Sequence, residues 1–553
     1  MSNFDLKKLQ NGSDIRGIAL SGVPGETPNL TCEAATLLTY GFCEWLSQKT
    51  KKPFFALTVS VGHDSRLSAQ QLKTACINAM TALGIRVLDC GLASTPAMFF
   101  STVFPQYRCD GAVMITASHL PENRNGFKYF DREGGLNKSD ITDIIARAEV
   151  FDNCPDECDD DCTDCIPNCA ESCSADCAPC SPSVCGGSAT ALLVQKCDLM
   201  DTYCAHLQDI IKKGVNAKTP SICSASVCDN TPTYNRPLAG LKIVVDAGNG
   251  AGGFYASRVL APLGADVSGS QFLEPDGHFP NHAPNPEDKE AMHAVRCKVL
   301  ETGADLGLIF DTDVDRSAAV DENGREISRN GIVALAAALI SEEYTGTTIV
   351  TDSITSDQLS EFLTKKLNLS HLRFQRGYKN VINKAIALNK SGTDCQLAIE
   401  TSGHAAFKEN YFLDDGAYLA AKIVIKTAQL ARSGKKISCV IKDLQEPEEA
   451  IELRFPILAD NFAAYGREIL SALEAYTGSC CENEMMLVQP NYEGVRIRFA
   501  ENAGDGWCLL RISLHDPIMP LNIESNKKGG CRQIAERLRP LLSEFNQLDI
   551  SKL

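Results

Sequence analysis

Two short stretches hold residues whose types and spacing can do chemistry. The first, DTDVDR at positions 311–316, puts Asp311, Asp313 and Asp315 at alternate positions and ends in Arg316. Three carboxylates in one short loop, directly after the apolar run LGLIF, are costly to bring together unless a cation neutralises them. An all-oxygen donor set selects a hard divalent ion, Mg²⁺ or Ca²⁺. The second stretch, VMITASHLPENRNGFKYF at positions 113–130, leaves an apolar run and at once presents Ser118 and His119, with Lys128 further along. A serine hydroxyl beside groups that can carry a proton is a candidate nucleophile, although a poor one unaided. The ordinary alternatives are a polar loop closing a strand and a solvated acidic turn.

The acidic loop has two rival chemical readings. An EF-hand calcium loop shares the D-x-D-x-D opening, and Glu322 falls at its twelfth position. Its sixth position requires glycine. Here that position is Arg316, between flanks patterned as strands rather than helices. The run LIFDTDV also fits a phosphatase that uses its first aspartate, Asp311, as nucleophile. That motif opens its domain, whereas here it ends one.

The elements that must position these loops alternate. FALTVSVGHDSR reads as a strand ending in a polar turn, and SAQQLKTACINAMTALG follows with Leu72, Ala75, Cys76, Ala79 and Leu83 at helical spacing. Ser68 with Gln71 predicts a capping box, and Gly84 the helix stop. IRVLDCG and GAVMITASH are the next strands. The strand-then-loop pattern returns in LKIVVDAGNGAGG, ADLGLIFDTDVDR, GTTIVTDSITSDQLSEFL and CQLAIETSGH. SAAVDENGREIS predicts a hairpin turning at Glu322, Asn323 and Gly324. This β-α-β order implies doubly wound layers, with ligands beyond the carboxyl ends of the strands. Towards the C-terminus, MLVQPNYEGVRIRFA and GWCLLRISLHD predict paired strands, and CRQIAERLRPLLSEF a closing helix. The expected fold class is α/β: three tandem α/β domains, residues 1–197, 198–317 and 318–445, then a smaller α+β domain, 446–553.

The chain has 553 residues and a formal net charge of -17. That argues against a nucleic-acid partner, which needs a basic face. It leaves room for a small phosphorylated substrate, because a few arginines in a cleft bind phosphate whatever the global charge. No apolar run of about 18 residues predicts a membrane span. The opening MSNFDLKKLQNGSDIRG is neither a secretory h-region nor an Arg- and Ser-rich transit segment, so a cytoplasmic location is expected, or a plastid one if a leader has been removed. Nothing in the sequence predicts an oligomeric state. Of 25 cysteines, nine fall between Cys154 and Cys185. This low-complexity stretch, about 151–190, reads as an acidic, Cys-rich insertion in a surface loop. The CxxC pairs Cys162/Cys165 and Cys177/Cys180 keep a structural metal site as the alternative. A second segment, about 216–236, is Ser/Thr/Pro-rich and loop-like.

In chain order these loops resemble the alpha-D-phosphohexomutases, close to the phosphomannomutase/phosphoglucomutase branch. That family's T-A-S-H-N-P phosphoserine loop matches positions 116–121, with Leu120 for Asn. Its metal loop D-G-D-G/A-D-R matches 311–316, and its sugar loop G-E-x-S-G-H matches 399–404, with Ile399 for Gly. Its phosphate loop R-P-S-G-T-E-P matches 511–517 in part, with Leu514 and His515 replacing a small residue and the Thr. GHDSR at 62–66, STP at 94–96, PDGHFPNHAPNPE at 275–287 and Gly377-Tyr378-Lys379 also match.

The resemblance implies mixed sheets arranged around a central cleft. It implies a phosphorylated Ser118 that, with Asp311, Asp313 and Asp315, holds one Mg²⁺ per active site. Arg316 adds a positive donor. Lys128 is the first candidate for proton transfer, with His119 and His404 as alternatives, His119 equally serving to orient the serine. Arg16, Lys379, Glu400, Ser402, Arg511 and Ser513 are the implied substrate-binding residues: Glu400 and Ser402 for sugar hydroxyls, Arg511 and Ser513 for the distal phosphate. Arg66 reads as structural. The implied activity interconverts hexose 1-phosphate and 6-phosphate, of glucose and/or mannose, with hexose 1,6-bisphosphate as activator and intermediate. The alternatives are a phosphoglucosamine mutase and a non-catalytic sugar-phosphate-binding protein with a Cys-rich interaction loop.

Overall fold

The strand Gly111–Ile115 is buried at every position, which is why its sequence is an unbroken apolar run rather than an alternation. It lies inside the first sheet of the computed structural model, which describes residues 5–152, 192–217, 232–479, 484–513 and 516–553. The Cys-rich insertion, most of the Ser/Thr/Pro-rich segment and the Leu514/His515 departure lie outside the described residues.

By its contacts the chain divides into two units, residues 1–326 with 413–438, and 327–412 with 439–553. In the first unit, Gly111–Ile115, Thr58–His63, Arg86–Leu92 and Val194–Lys196 are parallel neighbours. Arg124–Asp131 joins antiparallel to Gly111–Ile115, and Asp14–Ile18 antiparallel to Arg124–Asp131, so the sheet is mixed. The helices Cys32–Thr50, Ala69–Ala82 and Lys138–Asp152 close one core through Leu38, Phe42, Leu72, Met80, Ile141 and Ile144. Burial of such side chains, about 1.5–3 kcal/mol each, is the main stabilising contribution.

Helix Ala69–Ala82 stops as expected. Gly84 is left-handed at φ +75°, and the N–H groups of Gly84 and Ile85 return to the carbonyls of Thr81 and Met80. Its start differs from the expectation. Ser68 makes no cap bond, because its hydroxyl accepts from Asn125 Nδ2 at 2.8 Å instead. A local capping box has lost to a tertiary bond that ties the helix start to the strand carrying Lys128.

The second sheet of this unit pairs Ile243–Asp246 parallel to Leu306–Phe310, and the latter antiparallel to Ser317–Asp321. The register runs without a break from Leu306↔Asp321 to Phe310↔Ser317, so the acidic loop 311–316 is the connection between two fully buried strands. The expected turn at 322–324 is present, with Gly324 at φ +77° and its N–H donating to Asp321 O at 2.9 Å. Helix Gly416–Ala431 comes from much later in the chain and packs on this sheet.

In the second unit, Thr348–Thr351 runs parallel to Ser370–Arg373 and to Cys395–Ile399, which pairs antiparallel with Ala405–Phe407. The C-terminal sheet is antiparallel and includes the expected pair, Val495–Phe499 with Gly506–Leu510. Helix Gly530–Leu542 closes it. Arg496, fully buried, joins the two sheets of this unit. Its guanidinium lies 3.6 Å from the Trp507 ring centre and donates to Ser353 O, Thr355 O and Asp357. Among the described residues no helix is long and apolar enough to cross a membrane.

Candidate active site

Ser118 sits where the buried strand Gly111–Ile115 gives way to its loop, in the left-handed region at φ +49°. That conformation costs a non-glycine residue about 1–2 kcal/mol and persists only where the surroundings impose it. Arg66 imposes it. Its guanidinium donates to Ser118 O, Leu120 O, Pro121 O and Arg124 O, gathering four carbonyls of one loop. Arg66 is itself held by Asp64, 3.4 Å away and fully buried. Burial raises the Asp64 carboxyl to about 6 against the lowering by Arg66. Thr116 Oγ1 accepts from Ser118 N at 2.9 Å, and Arg16 donates to Thr116 O while pairing with Asp14 at 2.8 Å. Arg66 is thus structural, as expected, but as the clamp of the serine loop. Arg16 holds the same loop at Thr116 O.

The hydroxyl of Ser118 points at the acidic loop. It donates to Asp311 Oδ2 at 2.8 Å and accepts from Arg316 Nη2 at 3.2 Å; His119 Nδ1 is 3.4 Å away. Asp311, Asp313 and Asp315 are buried, each with a carboxylate oxygen within 4.8 Å of the other two. Burial and then the neighbouring Asp315 push the Asp311 carboxyl up to about 8, against Arg316. Lys128, on strand Arg124–Asp131, donates to Asp313 at 2.9 Å and also to Asp315. Burial alone would lower its pKa, but the two carboxylates carry it well above the usual value, so the lysine is held charged while they are its partners. Asp313 Oδ1 is buried without a hydrogen-bond partner. Three clustered carboxylates with an orphaned oxygen, beside a serine hydroxyl, fit a hard divalent cation such as Mg²⁺.

Two residues outside the expected set complete this arrangement. Thr95, in the STP motif, donates to Asp313 Oδ2 from its hydroxyl and to Asp313 O from its N–H, while Ser94 caps the helix Thr95–Val103. Asn285, in the PNHAPNPE segment, accepts from Arg316 Nη1 at 3.1 Å. Both lay in motifs visible in the sequence, but their partners are distant in the chain.

Helix Gly416–Ala431 begins against the backbone of Arg316. A Cβ on Gly416 would meet Arg316 C at 2.5 Å and O at 2.6 Å. Gly416→Ala is therefore expected to cost about 1–3 kcal/mol of stability by overpacking. It should lower turnover roughly 10²-fold by displacing the acidic loop. Thermal melting and steady-state kinetics check both. Unchanged turnover would show that the loop does not depend on this close approach.

In the second unit, Glu400 follows strand Cys395–Ile399. Its Oε1 accepts from Gly377 N at 2.7 Å, and a turn to His404 O closes the loop, with Gly403 at φ +94°. Ser402 Oγ is buried with no hydrogen-bond partner, which suits a hydroxyl meant for a ligand. His404 stacks on Tyr378 at 5.2 Å. Lys379 stands, half-buried, in the first turn of helix Tyr378–Lys390. Arg511 Nε is buried without a partner, and Ser513 Oγ accepts from Asp516 N at 3.3 Å.

Burial, and then Asp352, push the Glu400 carboxyl up to about 7, while His404 and Arg376 pull the other way. A carboxyl raised above its unfolded value holds its proton more tightly in the native state. Its contribution to stability is therefore full at low pH and declines as pH rises from about 4.5 to about 7. Glu400→Gln should flatten the fall in melting temperature between pH 5 and 8. An unchanged pH profile would contradict the assignment.

Comparison with known proteins is consistent with this geometry. Phosphoglucomutase/phosphomannomutase alpha/beta/alpha domains I, II and III match residues 7–150, 227–324 and 328–447. A phosphomannomutase/phosphoglucomutase of Pseudomonas putida is 26% identical over 492 residues, 88% of this chain and 87% of its own. A phosphoglucomutase of Neisseria gonorrhoeae is 25% identical, over 96% and 95%. The crystal structure of a phosphoglucomutase/phosphomannomutase family protein from Burkholderia thailandensis shares the fold, with a TM-score of 0.70 at 23% identity and 98% of each chain covered. The chain belongs to the phosphoglucomutase/phosphomannomutase family of alpha-D-phosphohexomutases, isomerases that act as intramolecular phosphotransferases.

Proposed function

We propose that this protein interconverts the 1- and 6-phosphates of glucose and/or mannose through a phosphoserine at Ser118 and a hexose 1,6-bisphosphate. The observation that carries the reading is the Ser118 hydroxyl, seated 2.8 Å from Asp311 and 3.2 Å from Arg316 on a loop clamped in a strained conformation.

In the first transfer the sugar hydroxyl attacks phosphorus. A new O–P bond forms, and the bond from phosphorus to Ser118 Oγ breaks. Arg316 donates to the departing Oγ, a charge-assisted contact that strengthens as negative charge develops there. Lys128 is the proton-transfer group of this scheme, its hold by Asp313 and Asp315 loosened where those carboxylates turn to Mg²⁺, and His119 is the alternative. His404, stacked on Tyr378, serves the sugar side of the site. The second transfer reverses these roles on the other end of the sugar. Asp311, Asp313 and Asp315, with the phosphorylated Ser118, would hold Mg²⁺, which when bound neutralises the phosphoryl oxygens. Glu400 and Ser402 bind the ring hydroxyls in either orientation, Arg511 and Ser513 the distal phosphate, Lys379 the sugar or its phosphate, and Arg16 meets the substrate beside Ser118. Cytoplasmic residence accompanies this reading.

The test is turnover of glucose 1-phosphate, mannose 1-phosphate and glucosamine 1-phosphate, with Mg²⁺ and a trace of the matching bisphosphate. Formation of glucose or mannose 6-phosphate supports the proposal. Turnover of the amino sugar alone would reassign the substrate. Binding without any turnover by folded protein would favour a non-catalytic binding role.

A further inference from the structure

We propose that Arg376, paired with Arg511, grips the phosphate of the sugar that is not being transferred, and is thus a substrate-binding residue of this chain. The inference rests on the function proposed above and adds a residue to its binding site.

Arg376 immediately precedes Gly377-Tyr378-Lys379. Its backbone is pinned from both sides. The N–H donates to Glu493 Oε2 at 3.1 Å, the carbonyl accepts from Asn380 Nδ2 at 2.6 Å, and the next N–H goes to Glu400. Its side chain is about a quarter exposed, with Nε 3.7 Å from the buried Asp352 carboxylate. A planar guanidinium on a fixed backbone, with Nε beside a carboxylate, has a restricted direction.

Arg511 lies near it in the same unit. Glu493, which accepts from Arg376 N, is followed by Gly494, where a Cβ would meet Arg511 Cα and Cβ at 2.9 Å. In keeping with that, burial first and then Arg376 lower the Arg511 pKa, while Glu493 and Glu452 raise it. Arg511 Nε is buried and donates to nothing. Two neighbouring, partly buried cations, one with an unmet donor, gain from an anion between them even with Asp352 and Glu493 nearby. Arg376 also acts on the Glu400 carboxyl. The anion site therefore adjoins the group proposed to bind the ring hydroxyls, as a phosphate on the far end of one sugar requires. Helix Tyr378–Lys390 begins here and adds the positive end of its dipole.

The experiment compares full-length wild type with Arg376→Ala, Arg376→Lys and Asp352→Asn in steady-state kinetics and in calorimetric titration with glucose 6-phosphate. For Arg376→Ala, KM should rise about 10- to 100-fold with kcat changed much less, as expected for loss of a charge-assisted contact. Arg376→Lys should recover part of the loss. An unchanged KM, with lowered melting temperature shared by Asp352→Asn, would reduce Arg376 to a structural ion-pair partner and overturn the inference. Titration separates this from the functional reading. Should wild type bind glucose 6-phosphate but turn nothing over, weaker binding by Arg376→Ala still supports the phosphate contact, and equal binding removes it.

Discussion

Ser118→Ala is expected to lower turnover by roughly 10⁴-fold or more, the scale seen when a covalent nucleophile is removed. The fold should survive. The serine loop is held through its backbone, by Arg66 on four carbonyls and by Arg16 on Thr116 O, and none of these contacts involves the Ser118 side chain. Alanine loses the hydroxyl's hydrogen bonds to Asp311, Arg316 and His119. Alanine also tolerates φ +49° no better than serine, whereas glycine does. Ser118→Gly should therefore melt at or above Ser118→Ala while being equally inactive. Activity in the alanine variant comparable to wild type would remove Ser118 from the mechanism.

Lys128→Met should have the largest effect on stability. The lysine ammonium faces the carboxylates of Asp313 and Asp315, and all three side chains are buried. Removing one partner of a buried ionic cluster leaves charge uncompensated and costs about 3–5 kcal/mol. Turnover should also fall, by about 10²- to 10⁴-fold if Lys128 is the proton donor. Mg²⁺ should offset part of the stability loss, because a ligand that binds only the folded state stabilises it by mass action. The melting temperature of Lys128→Met should then rise more on Mg²⁺ addition than that of wild type. Equal melting of the two proteins in chelator would contradict this account of the cluster.

The chemistry of the first unit was legible because it is concentrated. Ser118, Lys128 and the three aspartates sit in two short stretches, each following an apolar run that becomes a buried strand. The supporting residues were hidden because their partners lie far away in sequence. Thr95 meets Asp313, Asn285 meets Arg316, and Arg66 reaches the serine loop, all through the packing of separate elements. Nothing local predicts such meetings. The capping box at Ser68 shows the converse, a sound local signal overridden when Asn125 took the hydroxyl. Strand alternation revealed the α/β class. It did not reveal that Arg124–Asp131 runs antiparallel to both its neighbours, Asp14–Ile18 and Gly111–Ile115, nor that helix Gly416–Ala431 returns to the first unit. That helix is buried on most faces, so its sequence does not say which sheet it meets. Arg376 escaped notice for the same reason as Thr95: its meaning depends on Arg511, which follows the distant strand Gly506–Leu510.

The most direct test of the phosphoserine is to locate the phosphoryl group. Protein would be incubated with glucose 1,6-bisphosphate, digested and mapped by mass spectrometry, with a hydroxylamine-treated portion alongside. A single phosphorylated peptide containing Ser118 is expected, stable to hydroxylamine, and depleted when the protein is then exposed to excess glucose 1-phosphate. A hydroxylamine-labile phosphate on Asp311, or no phosphate on folded protein, would contradict it.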